Sequence, residues 1–113
     1  MTQITSHILD TSRGKPAEGV LITLMQQQGD DWLLLGSGAT NEDGRVADFT
    51  GSIDPLTGGI YKLTFYLSDY YSQLSQKTFY PHVDVAFEIE SDGQHYHVPL
   101  LLNPFGYSTY RGS

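Results

Sequence analysis

Apolar and polar residues alternate along most of this chain in short runs, interrupted by clusters of turn-forming residues. That period of two marks strands with one buried face. The first run, Ile4 to Asp10, sets Ile4 and Ile8 on one side and His7 and Leu9 on the other. Arg13, Gly14, Lys15 and Pro16 then predict a turn. Gly19 to Gln26 reads as a second strand, with Val20, Ile22 and Leu24 sharing a face, and Trp32 to Ser37 as a third. Asn41, Glu42, Asp43 and Gly44 carry the strongest turn signal in the chain, and a short strand over Arg45 to Phe49 follows. Residues 50–58 read as a loop, and Gly59 to Leu67 as a longer strand.

Ser68 is suited to cap a helix, and Asp69 to stand in its first turn. Tyr71 and Leu74, three apart, predict one short helix near residues 69–76. His82 to Glu90 alternates cleanly, with Val83, Val85, Phe87 and Ile89 against Asp84, Glu88 and Glu90. Ser91, Asp92 and Gly93 make a turn before a strand over Gln94 to Asn103. Pro104 to Gly106 is a break, and Tyr107 to Ser113 the last strand. The pattern predicts an all-β sandwich or barrel of eight strands with one short helix.

Two strands are apolar on both faces. In the segment His97 to Asn103, Val98, Leu100 and Leu102 share one face, and His97, Pro99 and Leu101 share the other. Ile4 to Asp10 repeats the arrangement, with His7 and Leu9 on its second face. A sandwich standing alone would keep that outer face polar. The expectation is that one face fills the core while the other meets a second subunit or lines a pocket.

Composition narrows the options. The length of 113 residues suits one domain over 1–113, able to bury about two-thirds of its surface. A hydrophobic share of 39% against 17% charged residues excludes a disordered chain. With 6 basic and 13 acidic side chains the net charge is −7, which makes the chain a poor ligand for nucleic acid or anionic membranes, so neither is expected as a partner. No apolar stretch approaches the ~18 residues of a membrane span. The absence of cysteine removes disulfides, thiolate metal sites and cysteine nucleophiles. The first residues show no basic segment followed by an apolar run, so a cytoplasmic location is expected.

The candidate chemistry rests on histidine and arginine. His95 and His97, two apart on a strand, share a face and could donate two imidazoles to zinc, but a zinc site needs further ligands, for which His7 and His82 are the candidates. His95 reads more simply as a polar residue beside the Ser91–Gly93 turn, and His82 as a surface residue. His7 and His97 stand among apolar neighbours on presumed outer faces, where they read either as hydrogen-bonded interface histidines with no chemistry or as neutral imidazoles suited to acid–base work near neutral pH. Arg45, directly after a turn glycine, reads either as a solvated surface charge or as an anion clamp or oxyanion partner. Asp10 lies three residues beyond His7 and so points to the opposite face, which leaves a Ser-His-Asp triad without local support.

Three stretches carry a family resemblance: Ser6-His7-Ile8-Leu9-Asp10 with Arg13-Gly14-Lys15-Pro16-Ala17; Asn41-Glu42-Asp43-Gly44-Arg45; and His95-Tyr96-His97-Val98-Pro99-Leu100-Leu101-Leu102, closing with Tyr107-Ser108-Thr109-Tyr110-Arg111-Gly112-Ser113. In these the chain resembles the transthyretin-like family, and within it the 5-hydroxyisourate hydrolases. One departure is Asn103, where the resemblance leads one to expect Ser before the proline. The resemblance implies an eight-stranded transthyretin-like (prealbumin-like) β-sandwich. It also implies a homotetramer, a dimer of dimers, with active sites in a central channel.

The implied reaction is ring-opening hydrolysis of 5-hydroxyisourate to 2-oxo-4-hydroxy-4-carboxy-5-ureidoimidazoline, with no metal or organic cofactor. His7, Arg45, His97 and Ser113 match the implied catalytic positions, and Tyr110, Arg111 and Gly112 the implied substrate-binding ones. The hormone carriers of the same fold lack histidine at the positions of His7 and His97. The competing expectations are a non-enzymatic carrier of a small aromatic ligand, an immunoglobulin-like binding module, and a zinc enzyme built on His95 and His97.

Overall fold

A computed structural model describes residues 3–46, 48–49 and 56–112 of the chain. The alternating segments become strands: β1 (Ile4–Asp10), β2 (Lys15–Pro16), β3 (Leu21–Gln28), β4 (Asp31–Ala39), β5 (Arg45–Val46), β6 (Gly59–Tyr66), β7 (His82–Ile89), β8 (Tyr96–Asn103) and β9 (Gly106–Thr109), with helix α1 (Ser68–Gln73) between β6 and β7. They form two sheets. One runs β2-β1-β8-β9, with β5 also pairing β1, and the other runs β4-β3-β6-β7. Val20, Ile22, Leu24, Leu63, Phe65, Leu100 and Leu102 fill the space between them and are fully buried.

The strand β1 pairs with β8 in parallel, although most neighbours are antiparallel. Ile4, Ser6, Ile8 and Asp10 point into the core, and Thr5, His7 and Leu9 are half-buried on the outer face. On β8, Val98, Leu100 and Leu102 point inward, and His97, Pro99 and Leu101 share the outer face with the β1 residues opposite them. The two-faced character expected of these strands is therefore a property of one continuous sheet surface.

Several element ends differ from the alternation-based expectation. Lys15 and Pro16 form a short strand on Asp10 and Leu9 after a turn at residues 11–14. The strand expected over Arg45 to Phe49 stops at Val46 among the described residues. Phe49 turns inward and is buried. Its carbonyl passes so close to Gly36 that a Cβ there would stand 1.5 Å from the oxygen, so only glycine fits. The loop expected over residues 50–58 lies outside the described residues up to 55; residues 56–58 belong to no strand or helix.

The helix is six residues long, and Ser68 lies inside it instead of capping it. Leu67 holds the cap position without a side-chain bond, while the Ser68 hydroxyl donates to the Pro81 carbonyl at 3.4 Å. Ser75 takes a left-handed backbone, φ 54°, and ends the helix early. Asp10 ties this helix to β1. Its buried carboxylate accepts from the Tyr70 hydroxyl at 2.7 Å and from Ser12 and Arg13. The inward aspect expected of Asp10 is thus the observed one.

The last strand, expected to reach Ser113, ends as a ladder at Thr109. Leu100 faces Thr109, and an isolated bridge joins His97 to Gly112 on the same register. That register sets Tyr110 opposite Pro99, which has no N–H to give, so the ladder lapses there and resumes at Gly112.

Candidate active site

The outer face of the β5-β1-β8 surface gathers the polar side chains. Arg45 on β5 pairs with His7 on β1, and His7 faces Pro99 on β8. One step along β1, Thr5 faces His97, and His97 faces Gly112 of the tail. Thr5, His7, Arg45, His95, His97, Pro99, Tyr110 and Gly112 line one open cleft of about 390 Å³.

Local structure fixes each member. The Asn41 side chain accepts from the backbone N–H groups of Asp43 and Arg45 at 2.9 and 3.0 Å, closing the turn before β5. Gly44 has φ 73°, and a Cβ there would stand 2.5 Å from the Ile8 carbonyl. Only glycine lets this turn lie against β1 and deliver Arg45 beside His7. The tail is held by the Gly112 N–H, which donates to the His97 carbonyl at 2.8 Å. A Cβ on Gly112 would stand 2.7 Å from His97 Cδ2, so the glycine admits the imidazole ring.

Electrostatics keep both cleft imidazoles neutral. Burial lowers the pKa of His7 below its usual 6.5, and the Arg45 guanidinium lowers it further, while hydrogen bonding to the Asp43 backbone and the Asp43 charge oppose the shift. Burial also lowers His97, helped by Arg45, His95 and His7. A neutral imidazole has a free ring nitrogen able to take a proton from water. A guanidinium beside it can bind a developing oxyanion.

The sequence-derived candidates separate into three groups. His7, Arg45, His97, Tyr110 and Gly112 line the cleft together. Arg111 does not: its guanidinium lies 4.6 Å from the Tyr96 ring centre and donates to Gln94 Oε1 at 3.4 Å. It borders a separate cavity of about 300 Å³ with Val85 and Phe87 of β7. Ser113 lies outside the described residues.

Two further residues belong to the cleft. Thr5 Oγ1 lies 2.8 Å from His97 Nδ1 and 2.8 Å from His95 Nε2. The His95 and His97 rings stack with centres 6.3 Å apart. His95 is the exposed polar residue expected beside the turn, just ahead of β8, which begins at Tyr96 and not at Gln94, and its ring also reaches Thr5. The shared face of His95 and His97 was a usable signal in the sequence, whereas the adjacency of Thr5 depends on pairing across 92 positions. His82 lies on the other sheet against Tyr66. Among the described residues, no three His, Asp or Glu side chains gather as a metal-binding group.

The model of the HIUase/Transthyretin family matches residues 4–112. The chain belongs to the HIUase/Transthyretin family. A Caenorhabditis elegans protein named as a probable 5-hydroxyisourate hydrolase is 48% identical over 97% of this chain and 81% of its own length. The structure of Klebsiella pneumoniae 5-hydroxyisourate hydrolase is 35% identical with a TM-score of 0.81, covering 100% of this chain and 94% of that one. Sea bream transthyretin in complex with thyroxine superposes with a TM-score of 0.90 at 27% identity, covering 97% and 94%. The fold is common to hydrolase and transthyretin, so the cleft residues have to separate the two functions.

Proposed function

We propose that this chain hydrolyses 5-hydroxyisourate to 2-oxo-4-hydroxy-4-carboxy-5-ureidoimidazoline, a step of urate catabolism in the cytoplasm. The observation that carries the reading is the convergence of two neutral imidazoles, His7 and His97, and the Arg45 guanidinium in one open cleft. Water is a poor nucleophile towards a cyclic amide carbonyl. A positioned base that takes its proton contributes about 10²–10⁴-fold. One imidazole activates the water, and the other holds it or hands a proton to the leaving nitrogen. Arg45 binds the polar ring and stabilises the oxyanion as the carbonyl becomes tetrahedral.

The tail completes the cleft. Tyr110 and Gly112 form its wall, and the family resemblance gives Ser113 its part in holding substrate. Arg111 serves as the anchor of the tail through Gln94 and Tyr96. The assembly in this reading is a homotetramer, a dimer of dimers, with one domain per chain. The half-buried Leu9 and Leu101, directly paired on the outer face, supply apolar surface for a subunit contact beside the cleft.

The second reading is a non-enzymatic carrier of a small aromatic ligand, favoured by the superposition on a transthyretin that binds thyroxine. A carrier needs an apolar channel, whereas Thr5, His7, Arg45, His95 and His97 make this cleft polar. The deciding experiment generates 5-hydroxyisourate from urate with urate oxidase and follows its ultraviolet decay with and without the protein. Decay well above the spontaneous rate, unchanged by a chelator, is the expected result. Decay at the spontaneous rate from a folded sample overturns the hydrolytic reading in favour of the carrier.

A further inference from the structure

The Thr5 hydroxyl touches a ring nitrogen of each of two histidines, and it has a single proton to give. At most one imidazole can receive that proton, and the oxygen can accept from the other. The three groups are thus coupled, and a change of tautomer in one ring propagates through Oγ1 to the next. His97 is half-buried and faces the cleft, whereas His95 is exposed to solvent.

We propose that Thr5 and His95 form a proton relay behind His97, in which the Thr5 hydroxyl orients His97 as the base and passes its proton to solvent-exposed His95. This inference rests on the hydrolytic reading of the cleft. In the resting state His97 Nδ1–H donates to Thr5 Oγ1, and the Thr5 hydroxyl donates to His95 Nε2. His97 Nε2 is then free to accept. As water attacks, one O–H bond breaks and its proton joins His97 Nε2. The Nδ1 proton moves to Thr5 Oγ1, and the Thr5 proton moves to His95 Nε2. The water oxygen bonds to the carbonyl carbon, and the C=O electron pair becomes the oxyanion beside Arg45. When the ring C–N bond breaks, the relay runs backwards and returns the proton through His97 to the departing nitrogen.

The relay moves positive charge from half-buried His97 to the solvent-exposed rim of the cleft at His95. A cation on His97 would face Arg45, and both burial and that guanidinium oppose it. A cation on His95 is hydrated. The other titratable groups around the trio are His7 and Asp43 near Arg45, and Tyr110 at the tail; Arg111 is turned towards Tyr96. Thr5 is accordingly a positioning residue acting through His97.

The test compares Thr5→Val, Thr5→Ser and His95→Ala with the unaltered protein in the 5-hydroxyisourate decay assay, with melting curves to verify folding. Thr5→Val, which keeps shape and removes the hydroxyl, should lower kcat about 10–100-fold with little change in KM, and Thr5→Ser should restore most of it. His95→Ala should lose kcat similarly and regain it with added imidazole, which replaces the exposed acceptor; Thr5→Val should gain nothing from imidazole. Nitrogen NMR of the His97 ring should show Nδ1–H in the unaltered protein and its loss in Thr5→Val. Unaltered kcat and pH profile in Thr5→Val, or no response of His95→Ala to imidazole, overturns the relay while leaving the hydrolase reading in place. Spontaneous decay with the unaltered protein overturns the hydrolase reading itself, and a His97 ring protonated at Nε2 in the resting state overturns the relay independently of activity.

Discussion

At the scale of single residues, the cleft depends on charge state and close approach. Burial and the Arg45 charge hold His7 and His97 below the usual 6.5, so both rings stay neutral to a lower pH than a free imidazole. The acid limb of kcat/KM should therefore inflect below 6.5, and a limb centred above 6.5 would contradict the neutral-imidazole account. Stability follows the same linkage. Between the folded-state pKa values and 6.5 the unfolded chain binds more protons, so stability falls as pH drops through that window and levels off below it. Urea midpoints measured from pH 7.5 downward check the sign.

Gly112 makes a separate residue-scale prediction. Gly112→Ala sets a methyl 2.7 Å from the His97 ring, so it should cut kcat/KM at least ~10-fold by displacing the base, with the fold retained. His7, Arg45 and His97 stood out in the sequence because unusual residue types broke an otherwise apolar or turn pattern. Thr5 did not, since a threonine on a strand is ordinary, and nothing local reveals that it faces His97.

Elements show where alternation suffices and where it fails. The inward faces of β1, β3 and β8 follow from period two, because one-sided burial fixes which residues point in. Element ends follow other rules. The ladder of β9 lapses where Pro99 lacks a donor, and α1 ends where Ser75 turns left-handed. Both signals were present as residues, but their partners were not. Asp10 binds β1 to α1 as a buried carboxylate satisfied by four donors, two from backbone and two from side chains. Asp10→Ala removes the acceptor of the buried Tyr70 hydroxyl, leaving it only the Arg13 guanidinium at 3.3 Å, and opens the turn after β1. It should destabilise the fold by about 3 kcal/mol, measured by urea unfolding. A change below about 1 kcal/mol would show that the network is replaceable by water.

For the whole molecule, the parallel pairing of β1 with β8 is the decisive feature. It joins the N-terminal and C-terminal motifs into one surface and brings β5 alongside, so residues far apart in sequence form a single cleft. Alternation predicted the two faces of each strand but carried no information on which strands pair, in which direction, or in what register. The family resemblance supplied the sandwich as a whole, and the pairing of β1 with β8 emerges only in the structure. The same surface carries Leu9 and Leu101, and among the described residues β7 and β9 are the outermost strands of their sheets, with backbone groups that a second chain could meet. Light scattering should give a mass four times that of the chain, and a monomer at micromolar concentration would contradict the assembly.

In the proposed reaction, hydrolysis on the outer face of the β1-β8 surface depends on both His7 and His97. The most direct measurement is the kcat/KM for 5-hydroxyisourate of His7→Asn and His97→Asn beside the unaltered protein, with melting temperatures for all three. Each substitution should lower kcat/KM by about 10²–10⁴-fold while the melting temperature stays within a few degrees. Unaltered turnover in either folded variant would contradict the account and remove that imidazole from the chemistry.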